Sequence, residues 1–301
     1  MFLLKVLKGI NKHYLLLHLI VFIWGFSPVL GRFITVDAWQ IVWFRVLISA
    51  VVTLLYLVVS KQSLLITKKQ FLQLGGVGLI IMVHWLAFYG AIKASNISVT
   101  LVAFSTGTLF SSIVEPILYK RRIRFYEVII GLIIIGAIAL IFSIETHFWF
   151  GIVLGMLAAF TSSIFGVING LLVKTIQPAI ISFYELFTAF IGLTIVLCFT
   201  RSFTPLFFSL DSNSIIGLLI LSLVCTVFPF IASVNLSKYI SPYTIVLTVN
   251  LETVYGITWA VLFYNENNEL KPTFYLGVCI ILFAIFLNTH LKKWSDKRIK
   301  I

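Results

Sequence analysis

The chain has 301 residues, 60% of them hydrophobic and only 11% charged, with 22 Lys and Arg against 10 Asp and Glu for a net charge of +12. A soluble domain carries roughly a quarter charged residues, so a mean hydropathy of +1.10 excludes one and requires a surface that faces lipid. The basic residues sit at the chain ends and between apolar runs, which reads as topology signals and contacts with anionic lipid and not as a nucleic-acid site.

A bilayer is crossed by about 20 apolar residues. Runs of that kind occupy 14–34, 39–60, 71–93, 98–119, 126–143, 149–172, 180–200, 214–236, 242–264 and 274–291; they are numbered here as spans 1 to 10. They are too long and too uniformly apolar for barrel strands. The predicted fold class is therefore all-α integral membrane, with ten transmembrane helices. The first run lacks a small-residue cleavage site and is followed by a second span, so it reads as a retained helix. With the N-terminus inside, the inner segments hold seventeen basic residues: Lys5, Lys8, Lys12, Lys61, Lys68, Lys69, Lys120, Arg121, Arg122, Arg124, Lys174, Lys238, Lys292, Lys293, Lys297, Arg298 and Lys300. The outer loops hold four, Arg32, Lys93, Arg201 and Lys271. That bias predicts both termini in the cytoplasm.

Polar residues within the spans are few, and each costs a few kcal/mol in lipid (about +2.5–3.5 for charged types) unless it meets water or a partner. Trp24 lies near the middle of span 1, away from the interfacial aromatic belt; its N–H needs a partner, which favours a cavity wall. Arg45 enters span 2 from outside to a depth of about 9 Å at 1.5 Å per residue, with Ser49, Thr53 and Tyr56 following on one side. In span 3, Gly75, Gly76 and Gly78 precede His84, which Trp85, Phe88 and Tyr89 accompany. A histidine there either shuttles protons or caps a neighbouring carbonyl. In span 4, Ser105, Thr108, Ser112 and Glu115 recur at three and four residues and share a helix face. Glu115 is near Lys120 and Arg121 and reads as half of a local ion pair.

Span 6 carries Gly151-x-x-x-Gly155 and Gly166-x-x-x-Gly170, spacings that let helix backbones approach closely, more often within a bundle than between subunits. Glu185 enters span 7 from the cytoplasm, on the opposite side from Arg45, so a direct Arg45–Glu185 bridge is not expected; each either snorkels or lines one end of a path. Asn169 and Asn250 are expected to face the bundle interior. In span 9, Thr248, Glu252, Tyr255 and Trp259 form a stripe at helical spacing, and Glu252 is about nine residues in, near the midplane. Pro28, Pro116 and Pro229 are each expected to bend a helix. Cys198, Cys225 and Cys279 fall in apolar spans and read as small core residues, without disulfide or metal spacing.

The chain repeats itself. Ser98–Tyr119 and Ser241–Tyr264 are each entered through Ile-Ser, residues 41–50 parallel 181–190, and Gly131 parallels Gly277. Five spans per copy leave the second copy upside down, as in many secondary transporters. This predicts two inverted five-helix repeats, 1–145 and 146–301, with a boundary near Ser143–His147.

Several of these residues carry a family resemblance: Trp24-Gly25, Trp43-Phe44-Arg45, HWLAFYGAIKASNIS at 84–98, Glu115-Pro116, Val234-Asn235-Leu236-Ser237-Lys238 and Asn250-Leu251-Glu252. Over essentially its whole length the sequence resembles the EamA family of the drug/metabolite transporter superfamily. The resemblance implies a bacterial cytoplasmic (inner) membrane carrier of small metabolites, with a central cavity between spans 1, 3, 4, 6, 8 and 9, and it makes each half an EamA-like repeat. The second-half element usually reads Glu-Pro in this family; here Thr253 follows Glu252, which leaves open whether the helix breaks there.

The functional expectation is an alternating-access carrier that exports amino acids or related compounds, with proton exchange through Glu252 or His84. Its substrate-cavity candidates are Trp24, Arg45, His84, Trp85, Tyr89, Ser105, Thr108, Glu185, Asn250, Glu252, Tyr255 and Trp259. The aromatic walls suit an apolar or zwitterionic substrate, whereas a phosphate ester would want several converging Lys or Arg. The alternative is a multidrug exporter of lipophilic cations, since a midplane carboxylate among aromatics suits a cation. No HExxH, paired-Asp motif or nucleophile with a His base at shared depth is present, so no enzyme, cofactor or metal is expected. The expected partners are a small-molecule substrate, the bilayer and protons, with the choice between monomer and homodimer left open.

Overall fold

The computed structural model describes residues 12–144 and 146–298. Lys5, Lys8 and Lys300, the side chains of Lys292, Lys293, Lys297 and Arg298, and Glu145 at the expected repeat boundary lie outside the described residues. In chain order the helices are α1 (Lys12–Trp24), α2 (Ser27–Phe33), α3 (Ala38–Val59), α4 (Lys68–Ala94), α5 (Ile97–Phe104), α6 (Gly107–Tyr119), α7 (Phe125–Ile144), α8 (Trp149–Leu172), α9 (Pro178–Phe199), α10 (Ser212–Ser222), α11 (Phe228–Leu236), α12 (Pro242–Val249), α13 (Leu251–Tyr264) and α14 (Pro272–Arg298). No strand occurs among the described residues. Among the described residues eight helical runs are long and apolar enough to cross a membrane, and two shorter apolar stretches, Phe125–Ala137 and Pro272–Ala284, belong to α7 and α14, which pack on each other.

Polar loop residues start these helices by accepting from otherwise unpaired backbone N–H groups. Asp37 accepts from Gln40 N, Thr67 from Gln70 N, Asn96 from Val99 N, Asp211 from Ser214 N and Ser241 from Thr244 N. At the other ends the repeat is visible in the backbone. The residues with positive φ are Lys61 after α3 and Arg201 after α9, then Lys120 after α6 and Asn265 after α13, so the second and fourth spans of both halves close through a left-handed residue. Counterparts also meet: α3 packs on α9, α7 on α14, and the halves of span 4 on the halves of span 9, α5 with α13 and α6 with α12.

Several spans are interrupted. Span 1 turns at Gly25 and Phe26, where a Cβ on Gly25 would meet Tyr255 Cβ at 2.7 Å, and Pro28 opens α2, a position where its missing N–H costs nothing. Span 4 turns at Ser105 and Thr106, whose hydroxyls hydrogen-bond the preceding carbonyls of Leu101 (3.1 Å) and Ala103 (2.7 Å), offering the backbone an alternative to helix. Span 9 breaks at Asn250, between α12 and α13. Thr253 in place of proline therefore does not remove the interruption, and Pro116 lies inside α6 with no interruption. In span 8 a π-turn over Leu223–Val227 precedes Pro229 at the start of α11.

The two central breaks are stitched together. Ser105 Oγ and Thr253 Oγ1 lie 3.1 Å apart, Thr253 Oγ1 also donates to Leu101 O at 3.2 Å, and Asn250 Nδ2 donates to Thr108 Oγ1. The glycine spacings of span 6 serve contacts inside the bundle: a Cβ on Gly155 would meet Ala103 Cβ at 2.7 Å, and one on Gly170 would meet Pro242 Cγ at 2.8 Å. A Cβ on Gly78 would collide with Thr188 Oγ1 and reach within 2.5 Å of the Glu185 carbonyl, while one on Gly76 meets nothing. Gly78→Val is accordingly expected to cost about 1–3 kcal/mol through overpacking. Thermal unfolding in detergent should show a clear fall for Gly78→Val and none for Gly76→Ala.

Two carboxylates fasten the ends of the crossing spans. Glu266, fully buried, accepts from Ile97 N (3.0 Å), Ser98 N (2.9 Å) and Ser98 Oγ (2.6 Å) at the start of α5. Arg32 pairs with it and with Glu269 at 2.9 Å. At the opposite face Glu115 accepts from Tyr243 N at the start of α12, and Arg121 joins Glu115 (3.1 Å) to Glu127 (3.0 Å). The local pair expected for Glu115 thus forms with Arg121, and the same carboxylate holds a helix N-terminus, the end where negative charge is favoured.

Candidate functional site

A cavity of about 110 Å³ opens beside these breaks and runs to Ser237 and Pro242, toward the face that carries Arg121. A single water needs about 10–15 Å³ on this measure, so the space admits several waters or a small solute. Its walls come from spans 1, 3, 4, 6, 8 and 9, as the resemblance implies, together with Arg45 from α3. Trp24, Arg45, His84, Trp85 and Glu252, all singled out in the sequence, line it.

Arg45 is buried at 3% exposure and is held from three sides. Its Nε donates to Thr226 Oγ1 at 2.8 Å and its Nη1 to Tyr89 OH at 2.6 Å. Its Cζ lies 4.1 Å from the centre of the Trp85 ring, a cation–π distance. A guanidinium only donates, so the Tyr89 hydroxyl accepts from it and keeps its own O–H free to donate to Ser27 Oγ, 2.8 Å away. Thr226 reaches Arg45 from the π-turn, itself anchored by donation to Leu221 O at 2.7 Å; such turns recur at functional sites. The fork is fixed, and Nη2 remains for the cavity.

Glu252 follows the break in span 9 as the second residue of α13, is 5% exposed, and makes no hydrogen bond or ion pair among the described residues. It faces the cavity that Arg45 faces. A guanidinium and a carboxyl group therefore address the same space with no ion pair joining them among the described residues. His84 is used differently. Its Nδ1 lies 2.8 Å from Ala158 O; a carbonyl only accepts, so Nδ1 carries the proton and Nε2 is the lone-pair nitrogen. Trp85, Phe88, Phe104 and Phe165 surround the ring.

The other candidates lie behind the wall. Tyr89 supports Arg45, and Ser105, Thr108 and Asn250 form the seam between the breaks. Tyr255 packs edge-on to Phe22, and Trp259 stacks on Phe26 at 4.9 Å, so the stripe of span 9 meets the cavity through Glu252 and meets α1 and the turn after it through its aromatics. Glu185 is fully buried on α9 and accepts from Asn169 Nδ2 at 3.1 Å; Asn169 itself lines the cavity. Arg45 and Glu185 form no bridge among the described residues. Sequence reasoning missed Ser27, Thr226 and Glu266. The first two are single hydroxyls in apolar runs and carry no signal of their own, whereas Glu266 sits in a polar loop whose fold decides its partner. Of the cysteines, Cys225 lines the cavity, while Cys198 and Cys279 are exposed on the helix surface. Among the described residues no three His, Cys, Asp or Glu side chains gather in a metal-binding group.

No curated protein matches the sequence. A solved crystal structure, described only as that of a protein, superposes with a TM-score of 0.68 at 12% identity, covering 95% of this chain and 99% of its own, and so shares the fold. The model of the EamA-like transporter family matches residues 11–143 and again 149–289, one match for each half of the bundle. The chain is thus a multi-pass membrane transporter of small molecules and belongs to the EamA-like transporter family, within the drug/metabolite transporter superfamily.

Proposed function

We propose that this protein is an alternating-access exporter of amino acids or closely related zwitterions, driven by proton exchange across a bacterial cytoplasmic membrane. The observation that carries the substrate class is the pair Arg45 and Glu252, a guanidinium and a carboxyl group facing one aromatic cavity with no ion pair between them among the described residues. A substrate carboxylate takes the Nη2 side of the guanidinium, and its ammonium takes Glu252. Trp24, Trp85, Phe88 and Phe230 receive the side chain. A bare lipophilic cation would gain from Glu252 but would meet Arg45 uncompensated, which disfavours the drug-exporter alternative.

In this reading the five spans of residues 1–145 and the five of 146–301 are inverted repeats, and α7 with α14 complete a set of ten. The excess of Lys and Arg in the loops on the Arg121 side supports a cytoplasmic Arg121 face and cytoplasmic termini. The cavity then opens inward, with the Arg32–Glu266 side closed. The test is uptake into proteoliposomes of a labelled amino-acid mixture, with and without an imposed pH gradient, comparing wild type with Glu252→Gln. Gradient-dependent accumulation that the variant loses supports the reading. Competition by tetraphenylphosphonium and not by amino acids would replace it with the cation exporter.

A further inference from the structure

We propose that Glu185 and Asn169 form the binding site of the coupling proton, one side chain behind the substrate cavity. This rests on the reading of the chain as a proton-coupled carrier and moves the coupling away from Glu252 and His84. Asn169 Nδ2 donates to Glu185 Oε2 at 3.1 Å. The two remaining oxygens of that pair, Glu185 Oε1 and Asn169 Oδ1, are buried and have no hydrogen-bond partner among the described residues, and neither does Ser182 Oγ, one turn before Glu185 on α9. Buried acceptors are ordinarily satisfied. An acid and an amide already joined through one arm, each with an orphan oxygen on the other, lack one hydrogen between them. A proton on Glu185 Oε1 donated to Asn169 Oδ1 closes a two-bond ring and removes both deficits.

The surroundings supply no other cation for this carboxyl. The helices packed on α9 are α3, α4 and α11. Their titratable groups are Arg45 and Tyr56 on α3 and Lys68, Lys69, His84, Tyr89 and Lys93 on α4; α11 has none. On α9 itself there are Tyr184 and Cys198, and on α8, which brings Asn169, none. Among the described residues none of these forms a hydrogen bond or ion pair with the Glu185 carboxyl group, whose hydrogen bond is to Asn169 Nδ2. An isolated carboxylate in an apolar interior is costly enough that such a group takes up a proton instead. Asn169, one side on Glu185 and one on the cavity, links that proton to the substrate space. In the exchange the O–H bond at Oε1 breaks, the proton passes to cavity water, and the carboxylate left behind keeps the Nδ2 hydrogen bond.

The experiment has two arms. Infrared spectra of the purified carrier at neutral pH are expected to show a protonated-carboxyl C=O stretch that Glu185→Gln removes and Glu252→Gln leaves in place. This arm needs no substrate, so it stands even if the amino-acid reading fails. In proteoliposomes containing a pH-sensitive dye and given the labelled mixture of neutral amino acids, Glu185→Gln is expected to lower gradient-driven accumulation at least tenfold and to abolish the accompanying proton flux. Counterflow of the label, which needs no net proton movement, persists. Asn169→Ala is expected to move the pH midpoint of accumulation by a unit or more. An unchanged infrared band in Glu185→Gln, or full proton flux in that variant, overturns the assignment. Absence of wild-type counterflow with a band that Glu185→Gln does remove overturns the substrate class and leaves the proton site standing.

Discussion

Arg45→Ala is expected to weaken equilibrium binding of a neutral amino acid by about 10–100-fold, since a hydrogen bond to a charged group contributes about 1.5–3 kcal/mol and each 1.4 kcal/mol is tenfold. Arg45→Lys should recover little. A lysine keeps the charge but not the planar fork, and the fork is what Thr226, Tyr89 and the Trp85 ring hold in place. Glu252→Gln is expected to cost a comparable factor, with a different selectivity. Its loss should be large for amino acids and small for the corresponding acids without an ammonium group. Arg45→Ala should show the mirror pattern, sparing the amino-acid amides. Titration of detergent-solubilised protein with the three ligand sets measures this directly. If both variants lose the same factor for all three, the two charges are not reading the two ends of a zwitterion.

Glu266→Ala is expected to be the most damaging single truncation for stability. It leaves Arg32 without its buried partner and strands Ile97 N, Ser98 N and Ser98 Oγ at the head of α5. Each buried donor left unsatisfied costs about 1–3 kcal/mol, while Arg32, 30% exposed and still paired with Glu269, adds little. Glu269 supplies the control: it also pairs with Arg32, but its side chain is 38% exposed, and pairs of that kind contribute about 0–1 kcal/mol. Thermal unfolding should therefore separate Glu266→Ala from Glu269→Ala by a wide margin. Equal shifts would mean that Arg32 and not the α5 N-terminus is what Glu266 serves.

Arg45 and Glu252 show where reading the chain stops. Apolar runs of bilayer length, the basic loops between them and the Ile-Ser entry to two matching helices are one-dimensional signals. They follow from what lipid demands of a backbone, so the helical bundle and its two related halves were legible. Charge in an apolar run is legible for the same reason, because it is expensive wherever the chain goes, and Arg45, His84, Glu185 and Glu252 stood out on that ground. Their roles were not legible. Arg45 and Glu252 are 207 positions apart and share a cavity because the breaks in spans 4 and 9 lie side by side. His84 is tied to the Ala158 carbonyl, a choice that only the packing of α4 on α8 could make. The stripe Glu252, Tyr255, Trp259 divides between the cavity and the aromatic contacts with Phe22 and Phe26, since a helix between two neighbours shows each a different edge. The interruption at Asn250 arises without a proline, and Pro116 sits in unbroken helix. Composition and periodicity, set by the solvent around each segment, determined which residues lie in the membrane and which of them are costly there. Tertiary structure decided which of those residues meet, because hydrogen bonds act over about 3 Å and that proximity exists only once the helices have packed.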